Sequence, residues 1–180
     1  MNSTFFSDAV SSKIYTQDYS KKTPIDGVKM LPIKNSVTEE GDFSEIMRLT
    51  ENGEMEGMPG FKVRQINRTH VFAGSIKAWH VHNNQDEVWY TPPTSQLFVG
   101  LWDVRAGSAT ENQTMRVVLG GGSSHLVYIP HGVAHGVANF SHQPAQMFYY
   151  MNQQFNLEQP DENRLPWDSL GSAFWTPERD

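Results

Sequence analysis

The sequence predicts an all-β sandwich or barrel with a polar arm at each end. Two observations lead there. First, apolar runs of strand length alternate with clusters of turn residues from position 61 to 153, the spacing of an all-β domain. Second, no stretch alternates strands with amphipathic helices, which argues against a parallel α/β fold. The 180 residues suffice for one domain with one sizeable core.

Taken in order, residues 1–30 are polar with scattered aromatics and read as an N-terminal arm that packs on something else, such as a second subunit. Residues 31–155 read as the β-barrel. Within them, 42–51 is the only stretch with helical character, and it is short. Strands are expected at 61–67, 77–81, 87–91, 96–103, 115–119, 125–129, 136–139 and 146–153. Asn83-Asn84, Pro92-Pro93, Arg105 to Ser108, Gly120 to Gly122 and Pro130 to Gly132 mark the turns between them. Residues 156–180 form a tail rich in Pro, Asp and Glu. A disordered tail would rarely carry Trp167, Phe174 and Trp175, so this one is expected to fold back on the barrel.

Composition narrows the function. A net charge of −6 argues against a broad nucleic-acid or anionic-membrane surface. The absence of cysteine excludes disulfides, thiolate catalysis and zinc–cysteine sites. No run approaches the ~18 apolar residues of a membrane span. The N-terminus lacks the basic start and apolar block of a secretory signal, so the cytoplasm is the expected location, and the Asn-x-Ser/Thr matches at Asn2, Asn67, Asn112 and Asn139 read as chance.

The chemistry concentrates in two stretches. AWHVHNNQDEVW places His80, His82 and Glu87 as His-x-His-x4-Glu. In a strand, residues i and i+2 share a face, so both imidazoles project together, and a hairpin returns Glu87 beside them. PHGVAHGVAN adds His135. Three imidazoles and a carboxylate could hold a divalent metal; the same residues could instead line a polar pocket without one. His70, His125, His131 and His142 lack partners in the sequence and read as surface or loop residues. Trp79, Trp89, Tyr90 and Trp102 read as core or pocket wall, and the Asp161-Glu162 pair as a solvated turn.

These two stretches resemble the signature motifs of the cupin superfamily, whose fold is a double-stranded β-helix or jelly roll. From Val63 to Trp167 the chain further resembles the dTDP-4-dehydrorhamnose 3,5-epimerase family, through QINRTHVFAGSIKAWHVH, LWDVRAGSAT, LVYIPHGVAHGV, QMFYYMNQQFN and PDENRLPWD. The resemblance implies a cytoplasmic homodimeric enzyme that epimerises a dTDP-4-keto-6-deoxyhexose and requires no cofactor. It places His80 on the catalytic base, Asp168 near the carboxylate that pairs with it, and Tyr149 (or Tyr150, one residue on) on the acid facing the opposite side of the sugar. Gln65, Asn67, Lys77 and His135 fall on substrate contacts, Phe155 on an aromatic that stacks on the base, and Arg164 on a role in closing the tail.

The chain also departs from that pattern. Lys77 stands where the family has Arg, Glu87 where it has an enolate-stabilising Lys, and Glu40 where it has another Arg. A divalent Zn, Ni, Mn or Fe ion on His80, His82, Glu87 and His135 could restore the lost positive charge. The alternatives are therefore a metal-dependent cupin enzyme, an oxygenase or small-molecule isomerase, and a non-catalytic sugar-binding cupin.

Overall fold

The computed structural model describes residues 5–19, 24–123 and 125–177. Two antiparallel five-stranded sheets face each other. The first runs β1 (Lys29–Pro32), β9 (His125–Ile129), β6 (Glu87–Tyr90), β11 (Ala145–Met151), β4 (Gln65–Val71). The second runs β12 (Asn163–Arg164), β5 (Ile76–Val81), β10 (Val133–Ala138), β7 (Gln96–Asp103), β8 (Thr114–Gly120). A small hairpin of β2 (Asn35–Thr38) and β3 (Gly41–Ser44) stands apart from both. This is the jelly-roll sandwich that the runs and turns predict.

Period-2 alternation builds the layers. In β7, Leu97, Val99 and Leu101 enter the core between the sheets, while Phe98 and Trp102 face outward. In β10, Val133 and Val137 point in, and Ala134 and Ala138 point out. Because both outer faces are covered, every residue of β10 is buried. Residues 46–63 cover the outside of the first sheet with Met55, Met58 and Phe61. The tail covers the outside of the second, with Trp175 and Phe174 packing on Trp79 at ring separations of 4.8 and 5.2 Å. Such aromatic pairs add about 0.5–1.5 kcal/mol each beyond the area they bury. Gly100 makes this possible, since a Cβ there would lie 2.6 Å from the Phe174 ring and 2.8 Å from that of Trp175.

At one end of β7, Asp103 is fully buried and accepts hydrogen bonds from Arg105 Nε (2.8 Å) and Nη2 (2.8 Å), Ser108 Oγ (2.6 Å) and Thr110 Oγ1 (2.6 Å). The DVRAGSAT motif is thus a folded turn, and Arg105 ties it to the Asp26 carbonyl at 2.7 Å.

Several boundaries differ from the expectation. The stretch 42–51 contains no helix: its start is β3, paired with β2, and the remainder is irregular apart from a bridge from Leu49 to Met55. Its apolar residues lack a sustained 3.6-residue period, and the turn before Gly41 starts a return strand. The strand expected at 61–67 begins only at Gln65 and extends to Val71, because Phe61 is taken up by the layer of Met55 and Met58. β1, β2, β3 and β12 were not anticipated; all are four residues or shorter. In the N-terminal arm, Asp8–Ser11 form one helical turn with Phe5, Tyr15 and Tyr19 exposed. Residues 1–4 and 20–23 of the arm, and 178–180 of the tail, lie outside the described residues.

Candidate active site

A cavity of about 140 Å³ opens between the two inner faces, lined by Thr69, Lys77, His80, His82, Glu87, Trp89, His135, Val137, Met147, Tyr149 and Glu162. Its walls come from both sheets. β5 supplies His80, the residue just after it His82, and β10 His135; β6 and β11 supply Glu87, Trp89 and Tyr149.

A register shift in β5 brings Lys77 to the cavity. His135 is opposite His80 and Val137 opposite Lys77, so β5 takes three steps where β10 takes two. This bulge puts Lys77 on the same face as His80 in spite of their odd separation, and sends Trp79 outward. The Lys77 ammonium donates to Thr69 Oγ1 at 2.8 Å.

His82, Glu87 and His135 form the deepest part, each with no more than 4% of its surface exposed. Glu87 accepts from Gln85 Nε2 at 2.7 Å and from the Trp89 indole N–H, and its Oε1 lies 3.2 Å from His82 Nε2. Its Oε2 is 3.8 Å from His135 Nε2. Both imidazoles are oriented through the other nitrogen: His82 Nδ1 donates to the Asp161 carbonyl, and His135 Nδ1 to that of Val133 at 2.9 Å. Burial would raise Glu87, but the His82 bond and the two imidazoles hold its carboxyl down at about 2. Burial would lower His82, but Glu87 more than offsets it and the imidazole is pushed up to about 8. Burial dominates at His135, pushing it down to about 4.

The donor set of these three residues fits a divalent ion. One atom of each lies within 4.8 Å of the others, and imidazoles fixed through Nδ1 are the usual outer support of a metal site. His80 falls outside this group, because both of its ring nitrogens are engaged elsewhere. The four-ligand set expected from the sequence is therefore reduced to three.

His80 is held by the tail. β12 pairs with the free edge of β5, Arg164 directly opposite His80. Glu162 Oε1 lies 2.5 Å from His80 Nδ1, and the Arg164 guanidinium meets Nε2. A guanidinium can only donate, so Nε2 carries the lone pair and Nδ1–H donates to Glu162. The expected partner Asp168 is not there: its side chain is exposed, and its carbonyl accepts the Gly171 N–H at 2.7 Å. Glu162 takes its place because it precedes Arg164 by two residues and so shares its face. Asp161 is no solvated turn either. Its carboxylate accepts the backbone N–H groups of Asn83 (2.7 Å), Asn84 (2.7 Å) and Gln85 (3.1 Å), fixing the β5–β6 loop. Nothing in the sequence marks this role, because the strand that follows the acidic pair has only two residues.

Tyr149 and Tyr150 point to opposite faces. Tyr149 lines the cavity and bonds with Asn67, and burial raises its phenol, which stays protonated. Tyr150 packs outside with Tyr90 and Met58. Gln65 joins Asn67 (3.1 Å) to the Phe155 N–H (2.8 Å), so a polar chain runs from Tyr149 towards the exposed Phe155 ring. Glu40 sits in the exposed β2–β3 turn.

The profile of the dTDP-4-dehydrorhamnose 3,5-epimerase family matches residues 22–175. The chain belongs to this family. It is 35% identical over 155 residues to the spore coat polysaccharide biosynthesis protein SpsL of Bacillus subtilis, covering 86% of this chain and 98% of SpsL. The fold is shared with the dTDP sugar isomerase of Desulfovibrio desulfuricans (TM-score 0.71, 23% identity, 84% of this chain and 91% of that one). It is also shared with the dTDP-6-deoxy-D-glucose-3,5-epimerase of Legionella pneumophila, solved with dTDP-4-keto-L-rhamnose (TM-score 0.68, 26% identity, 79% and 74%). The chain is accordingly an enzyme of carbohydrate epimerisation with the jelly-roll cupin fold. Among the described residues no helix is long and apolar enough to cross a membrane.

Proposed function

We propose that the protein epimerises a dTDP-4-keto-6-deoxyhexose, with His80 as base and Tyr149 as acid. The observation that carries this reading is that the two side chains line one cavity from different sheets: His80 on β5, with its lone pair at Nε2, and Tyr149 on β11, protonated. A hexose ring between them would lose a proton to one face and gain one from the other. The C–H bond beside the ketone breaks, its electron pair moves into the C–O group as an enolate, and the proton goes to Nε2. Tyr149 O–H then delivers a proton to the opposite face, and solvent restores both groups. Glu162 holds the tautomer and supports the imidazolium that forms.

The cavity is smaller than the ~300–1,000 Å³ of sites for drug-sized ligands, so it suits the reacting ring alone. The nucleotide would then extend over the rim, where Gln65, Asn67 and Phe155 form the polar and aromatic path. This acid–base cycle requires no cofactor, and we read the assembly as a homodimer, since the outer edge of β4 is unpaired among the described residues. Light scattering reads the assembly directly.

The test is solvent-deuterium exchange followed by NMR on dTDP-4-keto-6-deoxyglucose. The protein should incorporate deuterium beside the ketone, and His80→Ala should not. Near-full exchange in His80→Ala would refute the mechanism. A second reading has its own support in the His82, Glu87 and His135 cluster: a divalent ion held there would supply a fixed positive charge beside the ring. His80 and Tyr149 keep their roles in either case.

A further inference from the structure

The cavity contains a chemical conflict. Glu87 and Glu162 both line it, Glu87 accepting from Gln85 and Trp89 and Glu162 from His80, and the step proposed above adds a further negative charge, the enolate oxygen, to the same cavity. Two like charges raise the energy of that intermediate, and only a cation or strong donor aimed at the oxygen offsets them. The other positive or donor groups in the lining are anchored on partners other than the base, although the Lys77 ammonium has N–H groups beyond the one it gives Thr69. Lys77 is bonded to Thr69, His82 lies between Glu87 and the Asp161 carbonyl, and His135 directs its Nδ1–H at Val133.

Arg164 is placed differently. Its guanidinium meets Nε2 of His80, and its Nε is 3.8 Å from Glu162 Oε1. The carbon that loses its proton has to approach that same Nε2, and the ketone oxygen is two bonds from it. A guanidinium reaching Nε2 from the rim therefore reaches the oxygen as well, and its fork of N–H groups can turn from one acceptor to the other. The placement follows from the sequence Glu162-Asn163-Arg164: Glu162 immediately precedes β12, residues two apart in extended backbone share a face, and the register puts Arg164 opposite His80.

Resting on the epimerase reading, we infer that Arg164 is a catalytic residue that leaves Nε2 as substrate enters and binds the oxygen on which the enolate charge develops. The same movement releases the base, so that the lone pair of His80 becomes free only when an acceptor for Arg164 is in place. The C-terminal strand thus provides both the positioning carboxylate and the stabilising cation of the reaction.

The experiment compares the wild type with Arg164→Ala and Arg164→Lys in two readouts: deuterium exchange into dTDP-4-keto-6-deoxyglucose at saturation, and calorimetric affinity for dTDP. Loss of one preorganised donor to a developing oxyanion costs roughly 10²–10³-fold, so Arg164→Ala should lose exchange by that factor. Its dTDP affinity should stay within about threefold of wild type, because the oxygen interaction forms on the sugar and not on the nucleotide. Millimolar guanidinium should restore part of the exchange, and Arg164→Lys should fall between. Exchange retained in Arg164→Ala, or exchange intact with dTDP binding lost, overturns the inference and leaves the epimerase reading standing. A wild type that binds dTDP but catalyses no exchange overturns both. Should Arg164→Ala lose dTDP binding along with exchange, Arg164→Lys decides on the same two readouts.

Discussion

Replacing Glu162 by Gln keeps the shape of the side chain and removes the charge that faces His80 Nδ1 at 2.5 Å. A hydrogen bond to a charged group contributes about 1.5–3 kcal/mol. Solvent discounts it here, because the Glu162 side chain is 39% exposed and that of His80 25% exposed. At 1.36 kcal/mol per tenfold in rate, the loss of proton abstraction is roughly 10- to 150-fold, with the exposure favouring the lower end. Asp168→Asn should change the rate by no more than about twofold, as its side chain is exposed and apart from His80. The assay is the deuterium exchange rate at saturating substrate for both variants, which isolates abstraction from product release. Equal rates for Glu162→Gln and wild type, or a larger loss in Asp168→Asn, would refute the assignment of Glu162 as partner of the base.

The tyrosines separate in the same assay. Tyr149→Phe should still exchange the proton but form little inverted product, whereas Tyr150→Phe should do both. The Asp103 network predicts stability: Asp103→Ala leaves Arg105, Ser108 and Thr110 without their acceptor and should cost about 3–5 kcal/mol, a fall in melting temperature of roughly 6–20 °C for a chain of this size. Burial raises the Asp103 carboxyl, but the bonds from Arg105, Ser108 and Thr110 take it well below the usual carboxylate range. Its contribution is thus complete above that range and lost as pH falls below it, so Asp103→Asn should flatten the acid limb of a stability–pH curve. If a divalent ion binds, His82→Ala should abolish binding and His80→Ala should not, as measured by metal content after incubation with Zn²⁺, Ni²⁺ or Mn²⁺; the reverse order would count against the three-ligand site.

The strands that hold the site are legible because their apolar runs are long and their turns are marked, and His-x-His at the end of β5 reads directly as two side chains on one face. What stayed hidden depends on two short-range irregularities. The bulge in β5 changes the face of Lys77 relative to His80, and no periodicity announces it. The tail contributes a strand of two residues, β12, whose place is fixed by the open edge it covers more than by its own propensity. Hence only family resemblance points to Lys77 at the substrate, and the sequence points to Asp168 where the structure has Glu162. The choice between Tyr149 and Tyr150 turned on a single-residue offset, which in a strand is a choice of face.

The pairing of β12 with β5 also bears on how the enzyme comes into being. Residues 161–164 are synthesised after β11, when every other strand of both sheets is already available to fold. A chain translated only to that point carries every strand of the inner core, but the outer face around Trp79 and Phe98 still lacks Phe174 and Trp175, its His80 has neither the Glu162 carboxylate nor the Arg164 guanidinium, and His82 lacks its carbonyl anchor. Proteolysis between the barrel and β12 would return a mature molecule to that condition. Covering the second sheet and completing the surroundings of His80 are therefore tasks of one tail, so that the last segment to be made finishes the barrel and its cavity together.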